Sequence, residues 1–193
     1  MSSESTYGKE RNFDKTPEPE FHTQKSPAGD ESLFVIQKHD AQQLHFDFRL
    51  EIDGVLKSWV LPKGPSMDPA QKRLAIPVED HPIDYAGFEG VIPEDQYGGG
   101  TVMIWDRGSF QNNRIENNQP VSLKQCYEDG KIEISLNGDK ISGDFTLVKA
   151  KNMDNNWLLI KKGTTDANYD PVSTENRSVV TGRTLKEIEN SVK

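Results

Sequence analysis

The chain has 193 residues, of which 33% are hydrophobic and 28% charged, so its length accommodates one domain with a modest core and an additional tail. Its formal net charge of −8 argues against broad neutralisation of duplex DNA phosphates, although a bound cation can still supply positive charge for one terminal phosphate. A single cysteine, Cys126, excludes an intramolecular disulfide framework and a cysteine-based zinc cluster. The sequence has no apolar run that could span a bilayer and no secretory signal at its start, so we expect a cytoplasmic protein without a membrane partner.

Residues 1–30 are a polar tail rich in Ser, Glu, Lys, Thr and Pro. Such a composition buries too little apolar surface to offset the entropy cost of ordering, so we expect this tail to be partly disordered. The strip 16–21, Thr-Pro-Glu-Pro-Glu-Phe, is the part that could dock on the folded domain in extended form. The folded domain is predicted over residues 31–193 and begins near Leu33.

Most of the predicted domain consists of short strands separated by turns. Residues 33–37 are a short apolar run, and residues 44–52 alternate between apolar and polar side chains. Asp53-Gly54 favours a tight turn into a returning strand over 55–61, and Asn137-Gly138 is a second hairpin signal. The other strand candidates are residues 73–78, 101–105, 131–136, 140–149 and 157–161. Helical patterns occur at residues 185–192 and, more weakly, at 123–128. Strands at intervals of roughly ten residues indicate a sandwich or a barrel.

The strand predicted over residues 44–52 carries the strongest chemical motif. Because alternate side chains of a strand share one face, His45, Asp47 and Arg49 point the same way. The opposite face is apolar and consists of Leu44, Phe46, Phe48 and Leu50. Side chains two positions apart can converge on one ion, and His39, a short polar loop upstream, can fold back as a third ligand.

Three protein ligands with open positions are typical of a catalytic rather than a structural metal site. Imidazole and carboxylate groups suit Mn, Zn or Fe, and ligand type alone does not choose among these metals. The alternative is a polar strand face that only contacts water. The alternation of His, Asp and Arg against an aromatic-rich face favours a metal site at His39, His45 and Asp47.

Residues 79–85, Glu-Asp-His-Pro-Ile-Asp-Tyr, are a second polar segment that follows a predicted strand. From its chemistry alone, His81 can be a fourth metal ligand, a general acid, a donor to a phosphate oxygen, or a cap of the turn before Pro82. The roles of Lys63 and Arg73 are equally undecided, because a lone cationic side chain is usually solvated. The triple glycine 98–100 lacks the Lys-Ser or Lys-Thr of a phosphate-binding loop and is interpreted as a bend into the next strand.

In combination, these segments resemble the 3′-phosphoesterase domain of bacterial DNA ligase D. The resemblance covers residues 11–162, and the ordered combination is far more specific than any single motif. The matching stretches are residues 13–19, 34–39, 44–51, 56–66, 81–85, 89–93, 97–102 and 105–108.

The resemblance implies a mainly β fold, namely a compact β-barrel with short flanking helices. It implies a site that depends on Mn²⁺, with another divalent transition metal such as Zn²⁺ or Co²⁺ as the alternative, and His39, His45 and Asp47 as its ligands. The residues implied to hold the phosphate or assist its cleavage are Arg49, Lys63, Arg73, His81 and Tyr85, together with Glu18 from the N-terminal strip.

The function implied by the resemblance is trimming of 3′ ends in DNA end joining: removal of a terminal ribonucleoside and then of the remaining 3′-phosphate. Its substrates would be the 3′ ends of DNA or RNA/DNA, and ligase, polymerase and end-binding proteins would be separately encoded partners. Asn12 departs from an acidic residue common in the family, and Asp95 replaces a glycine expected in the Ile-Pro-x-Gly turn, which predicts a loop of different shape.

Two other functions fit parts of the pattern. A cupin-like oxygenase also mounts histidines and a carboxylate on barrel strands, but the clustered Lys and Arg candidates favour phosphate. A non-catalytic module that binds DNA ends and recruits a ligase would need neither metal nor turnover.

Overall fold

A computed structural model of the protein describes residues 6–22, 32–164 and 169–191. Strands dominate the described residues. They are β1 Ser32–Asp40, β2 Leu44–Ile52, β3 Val55–Leu61, β4 Lys72–His81, β5 Gly90–Ile92, β6 Gly100–Asn112, β7 Ile115–Glu116, β8 Gln119–Pro120, β9 Lys131–Gly138, β10 Ser142–Lys149 and β11 Trp157–Lys161. Short helices flank them, and these are a 3₁₀ helix Ile83–Gly87, α1 Leu123–Glu128, α2 Pro171–Thr174 and α3 Leu185–Asn190.

Eight strands close into an antiparallel barrel in the order β1-β2-β3-β4-β11-β10-β9-β6, and β6 pairs back onto β1. The long strand β6 makes this closure possible, because one of its edges pairs with β1 while the other pairs with β5 near its start and β9 near its end. The predicted mainly β fold, a compact barrel with short flanking helices, is therefore confirmed. No helix in the described parts of the chain is long and apolar enough to cross a membrane.

Apolar side chains from all eight barrel strands fill the interior, and those from every strand except β4 are large. From β2, Phe46, Phe48 and Leu50 point into this core, where they meet Trp59 of β3 and Trp105 of β6. The alternation in the sequence predicted this inward face, except that Leu44 at the start of the strand is 48% exposed. His45, Asp47 and Arg49 of β2 consequently lie on the opposite, outer face of the barrel, and this face carries the predicted site.

Two hairpin turns were predicted, and their outcomes differ. Asp53 and Gly54 both have positive φ, 56° and 79°, as a tight two-residue turn between β2 and β3 requires. The second hairpin also forms, but Asn137 and Gly138 belong to β9 and the turn follows them at residues 139–141. Strands β2, β3 and β11 have their predicted bounds, whereas β6 extends seven residues beyond the prediction, to Asn112.

Buried Asp106 explains where the second turn lies. Its Oδ1 accepts hydrogen bonds from the backbone N–H groups of Asp139 at 2.9 Å and Lys140 at 3.2 Å, and its Oδ2 accepts one from Ile141 at 2.9 Å. A Cβ at position 138 would lie 2.6 Å from the same Oδ2, so glycine is needed there. The Asp106 carboxylate thus fixes the position of the β9–β10 turn by accepting hydrogen bonds from its backbone N–H groups.

Residues 6–22, which composition assigned to the polar tail, pack against the outer face of the barrel. Tyr7 is fully buried, and its ring lies 6.1 Å from that of Phe13, 5.9 Å from Phe21 and 6.2 Å from Tyr85. The predicted start of the folded domain at residue 31 lies outside the described residues. The packed segment forms one wall of the predicted site.

Candidate metal centre

The three predicted metal ligands meet on the outer face of the β1–β2 hairpin. The strand register pairs His39 directly with His45, and their ring centroids are 4.8 Å apart. Asp47, two residues further along β2, places Oδ2 3.7 Å from His39 Nδ1 and Oδ1 3.7 Å from His45 Nε2. One ligand atom from each residue lies within 4.8 Å of the others, so this cluster could hold a metal ion.

The hydrogen bonds of the two imidazoles fit a bound cation. His45 Nδ1 lies 2.8 Å from the carbonyl oxygen of Gln43, to which it can donate, and this leaves the lone pair of Nε2 facing Asp47. His39 Nε2 is buried and has no hydrogen-bond partner among the described residues. A buried nitrogen of this kind is expected to have a partner, and a cation is one that imidazole binds readily.

Asp47 is held in the ionised form that binds cations. Burial alone raises the pKa of its carboxyl group. The charge of Arg49, whose Nη2 lies 3.2 Å from Oδ2, and the interactions with His39 and His45 together outweigh this effect. The pKa of Asp47 is therefore well below its usual value, and the carboxylate carries a negative charge at neutral pH.

Arg49 is a rigid cation beside the cluster, because hydrogen bonds fix its guanidinium group from several directions. Nε donates to Gln37 Oε1 at 2.7 Å, and Nη1 donates to Ser58 Oγ at 2.9 Å. The same Nη1 lies 3.0 Å from His81 Nδ1, and Nη2 donates to Asp47. Nη2 carries two N–H groups, so one remains for a further acceptor beside the one given to Asp47.

His81 ends strand β4 next to this arginine and is not a member of the three-residue metal cluster. Its Nε2 lies 3.4 Å from Arg11 Nη2, so the imidazole lies between two guanidinium groups. Burial, Arg49 and Arg11, in that order, lower the pKa of His81 well below its ordinary value of 6.5. The ring is therefore neutral at neutral pH.

Glu18 reaches the site through its neighbours. Its Oε1 accepts hydrogen bonds from Arg11 Nε at 3.0 Å and from the Tyr85 hydroxyl at 3.0 Å, and its Oε2 accepts one from Thr16 at 2.8 Å. Arg11 also forms an ion pair of 3.1 Å with Glu79. Burial and the charge of Glu18 raise the pKa of Tyr85 well above its usual value, so its hydroxyl stays protonated.

These groups surround a cavity of about 170 Å³ beside the metal cluster. Of the predicted residues, the cavity brings together His39, His45, Asp47, Arg49, His81, Tyr85 and Glu18. It does not include Lys63, which is exposed in the turn after β3, or Arg73, which is half-buried at the start of β4. Arg73 Nε is buried without a hydrogen-bond partner in the described part of the chain.

Arg11, Gln37 and Glu79 contribute to the site and were not predicted from the sequence. Arg11 lies in the polar N-terminal segment, where the recurring aromatic residues were an available signal that the segment packs. Gln37 faces the same way as His39 on β1 and pairs with Asp47 in the register, so strand alternation could have identified it. Glu79 has no comparable signal, because only the fold places it against Arg11.

The triple glycine forms the predicted bend into β6. Gly98 and Gly100 have positive φ, and a Cβ on Gly100 would overlap the carbonyl oxygen of Asp40. A Cβ on Gly99 would lie 2.8 Å from the carbonyl oxygen of Pro93. The glycines thus let this loop approach the β1–β2 loop closely at the edge of the metal cluster.

Fold and site together define a β-barrel protein with a candidate metal centre of two histidines and one aspartate beside a fixed arginine. A family model described as the DNA Ligase D 3′-phosphoesterase domain matches residues 37–149, and the chain belongs to this family.

Curated relatives show how this chain compares with longer proteins. It is 41% identical over 186 residues to the "Multifunctional non-homologous end joining protein LigD" of Pseudomonas aeruginosa, covering 93% of this chain and 21% of that protein. It is 41% identical over 152 residues to the "Multifunctional non-homologous end joining DNA repair protein LigD" of Mycobacterium tuberculosis, covering 79% of this chain and 19% of that protein. A similar match to the LigD protein of Mycolicibacterium smegmatis is 41% identical over 155 residues, or 80% and 20% of the two chains. The chain therefore spans about a fifth of the length of these relatives.

Proposed function

We propose that this chain is a metal-dependent phosphoesterase that processes 3′ ends of nucleic acids in DNA end joining. The observation that carries the proposal is the cluster of His39, His45 and Asp47 with the guanidinium group of Arg49 fixed 3.2 Å from the aspartate. A cation site next to a rigid arginine suits a phosphate group, since both neutralise negative charge that grows as a phosphoester is cleaved. Family membership supports the 3′ end as the place of action.

In the proposed reactions, the protein first removes a terminal ribonucleoside and then the remaining 3′-phosphate. A divalent metal held by His39, His45 and Asp47 would supply Lewis-acid activation of the phosphoryl group. Arg49 would donate an N–H that Gln37, Ser58 and Asp47 leave free to a non-bridging phosphate oxygen. Arg11 would add positive charge, partly offset by its two carboxylate partners.

Neutral His81 fits a hydrogen-bonding role better than that of a general acid. A general acid that works at neutral pH needs a protonated form with a pKa near 7, whereas burial and two guanidinium groups lower the pKa of this imidazole. We therefore propose that His81 orients Arg49 and a phosphate oxygen. Glu18 would position Arg11 through the ion pair between them, and the Tyr85 hydroxyl would hold Glu18 in place by a hydrogen bond.

Mn²⁺ is the metal we propose, with Zn²⁺ or Co²⁺ as alternatives, because imidazole and carboxylate ligands accept each of these ions. The substrates would be the 3′ ends of DNA or RNA/DNA. Ligase, polymerase and end-binding proteins are the proposed partners, in keeping with the end-joining names of the relatives.

The test uses chelator-treated protein and two 5′-labelled primer–templates, one ending in a single ribonucleoside and one in a 3′-phosphate. We expect both to be processed after Mn²⁺ is added and neither in its absence, and we expect His45→Ala and Asp47→Ala to process neither. Full activity of either variant would contradict the ligand set. Binding of ends without turnover would identify an end-binding module, and the absence of both binding and turnover would favour a different metalloenzyme such as a cupin-like oxygenase.

A further inference from the structure

A second, open groove of about 880 Å³ adjoins the metal cluster. One wall is the β1–β2 loop, from Asp40 to Gln43, and the other is the segment from Glu94 to Gly100. The groove shares His45, Ala41 and Gly98 with the cavity described above, so the two spaces meet at the metal cluster.

The two spaces differ in charge. The cavity contains the carboxylates of Asp47, Glu18 and Glu79, but also the guanidinium groups of Arg49 and Arg11, which suit a phosphate group. The groove is lined by two carboxylates, Asp40 and Glu94, and by glutamine amides and glycine backbone, and no Lys or Arg is among the described residues that line it. A phosphate would be repelled from this groove, whereas an uncharged group with hydroxyl donors would be accepted.

Tyr97 lies where the two spaces meet. Its side chain lines the cavity, it directly precedes Gly98 of the groove, and it is 49% exposed. Its ring is 5.4 Å from the guanidinium carbon of Arg11, so the aromatic face is held near the cationic side of the site. An exposed ring in this place offers a stacking surface for a nucleobase, an interaction that tolerates any base.

We propose that the groove binds the uncharged terminal nucleoside that leaves in the first reaction, with its base against Tyr97 and its ribose hydroxyls toward Asp40 and Glu94. This inference rests on the proposed function. In that reaction the oxygen of water bonds to phosphorus, the bond between phosphorus and O5′ of the terminal nucleoside breaks, and O5′ takes up a proton. The primer keeps a 3′-phosphate, and the nucleoside departs without charge. The second reaction, which releases that phosphate, does not involve this group.

A selectivity follows from the acidic lining of the groove. A terminal ribonucleotide that itself carries a 3′-phosphate would bring negative charge toward Asp40 and Glu94. The protein should therefore remove a terminal nucleoside with a free 3′-hydroxyl in preference to the same nucleoside with a 3′-phosphate. Removal would proceed one uncharged nucleoside at a time.

The first experiment measures kcat/KM for both reactions with Tyr97→Leu, using Tyr97→Phe as the variant that keeps the ring. We expect Tyr97→Leu to lower the ratio of first-reaction to second-reaction kcat/KM by about tenfold, because base stacking on an aromatic side chain is removed. Tyr97→Phe and Tyr169→Leu, a change at another exposed tyrosine, should keep the wild-type ratio. An unchanged ratio in Tyr97→Leu would overturn the stacking assignment.

The second experiment reverses one charge in the groove. Glu94→Lys should raise the relative rate for a terminal ribonucleotide carrying a 3′-phosphate, whereas Glu128→Lys, an equal change at an exposed position of helix α1, should not. A primer that ends in 2-aminopurine riboside reports binding of the terminal nucleoside without turnover. Its fluorescence should be quenched by chelator-treated wild-type protein and not by chelator-treated Tyr97→Leu. If Glu94→Lys and Glu128→Lys prefer the 3′-hydroxyl end over the 3′-phosphate end to the same extent, the inference is overturned. Failure of the wild-type protein in both reactions would instead overturn the proposed function.

Discussion

His39 and His45 face each other as a directly paired couple of the β1–β2 ladder, with ring centroids 4.8 Å apart. The three-residue loop 41–43 sets this register, and the alternation of β2 then places Asp47 on the same face. A slip of one residue in β2 would turn Phe46 outward and His45 and Asp47 inward. The candidate metal centre is thus a product of one short hairpin.

Replacing Asp47 by Asn should abolish tight metal binding while it keeps the shape of the side chain. Loss of an outer partner of a ligand alone costs about 10- to 100-fold in metal affinity, so loss of this ionised ligand should raise the Kd for Mn²⁺ by more than about 100-fold. Titration calorimetry measures the change. Glu51→Gln is the control, because Glu51 is a buried carboxylate on the same strand whose Oε2 accepts a hydrogen bond from Leu33. Wild-type affinity in Asp47→Asn would show that Asp47 is not a ligand.

Glu18→Ala should lower turnover without weakening metal binding. The Glu18 oxygens are engaged by Arg11, Tyr85 and Thr16, so its removal frees Arg11 to move. Because misplacement of a catalytic group by about 1 Å can cost about 100-fold in rate, we expect a loss of kcat of that order. The Kd for Mn²⁺ should stay within about twofold of the wild-type value. Glu20→Ala, at an exposed position of the same segment, serves as control, and a loss of Mn²⁺ affinity in Glu18→Ala would make Glu18 a ligand.

Local patterns were sufficient to predict the strand that carries His45 and Asp47, but not the full length of β1, which was predicted over 33–37 and continues to Asp40, so that His39 lies within it. The alternation over 44–52 and the Asp53-Gly54 turn are properties of neighbouring residues, and β2 and β3 have their predicted bounds. The end of β6 could not be predicted in this way, because its polar residues up to Asn112 are held by pairing with β9, which is distant in sequence.

The same reasoning explains which site residues were missed. Arg11 is held by the carboxylates of Glu18 and Glu79, and no short-range pattern brings Glu79 and the N-terminal segment together. A segment of low apolar content packs here because Tyr7 is fully buried and a buried ion pair accompanies it. Composition averages over such single residues and therefore underestimates the order of residues 6–22.

His81 should remain neutral across the neutral pH range, and this has a consequence for stability. Burial and two guanidinium groups lower its pKa in the folded protein below 6.5, whereas the unfolded chain takes up a proton near that value. Below about pH 6.5 the unfolded state therefore binds more protons at this residue, and the free energy of unfolding falls by at most about 1.4 kcal/mol per pH unit.

Urea denaturation at several pH values checks this expectation. The wild-type protein should lose more stability than His81→Gln as the pH falls from about 7 to about 5. The ring signal of His81 in NMR spectra should not titrate in the same range. A titration near pH 6.5, or equal pH slopes for both proteins, would contradict the neutral buried imidazole and reopen its role as a general acid.

Asp106→Ala should destabilise the barrel more than most substitutions. It would remove the acceptor of the backbone N–H groups of Asp139, Lys140 and Ile141, and hydrogen bonds to a charged group contribute about 1.5–3 kcal/mol each. We expect the free energy of unfolding to fall by about 3 kcal/mol or more. Asp139→Ala, an exposed change in the same turn, should stay within about 0.5 kcal/mol of wild type. Equal stability of the two variants would show that the turn does not depend on the buried carboxylate.

Lys63 and Arg73 test how far phosphate binding extends beyond the cavity. Both were predicted to hold the phosphate, yet neither lines the cavity, and the unpartnered Nε of Arg73 has no role in the described structure. If they bind the phosphates of a substrate strand, Lys63→Ala and Arg73→Ala should raise KM and leave the Kd for Mn²⁺ unchanged. The slope of log KM against log salt concentration should fall by about one for each cation that no longer neutralises a phosphate. Lys72→Ala is the matched control, since Lys72 is an exposed cation next to Arg73 in the same strand. Wild-type KM and salt dependence in both variants would limit phosphate recognition to the groups around Arg49, which surround the candidate metal cluster in the described parts of the chain.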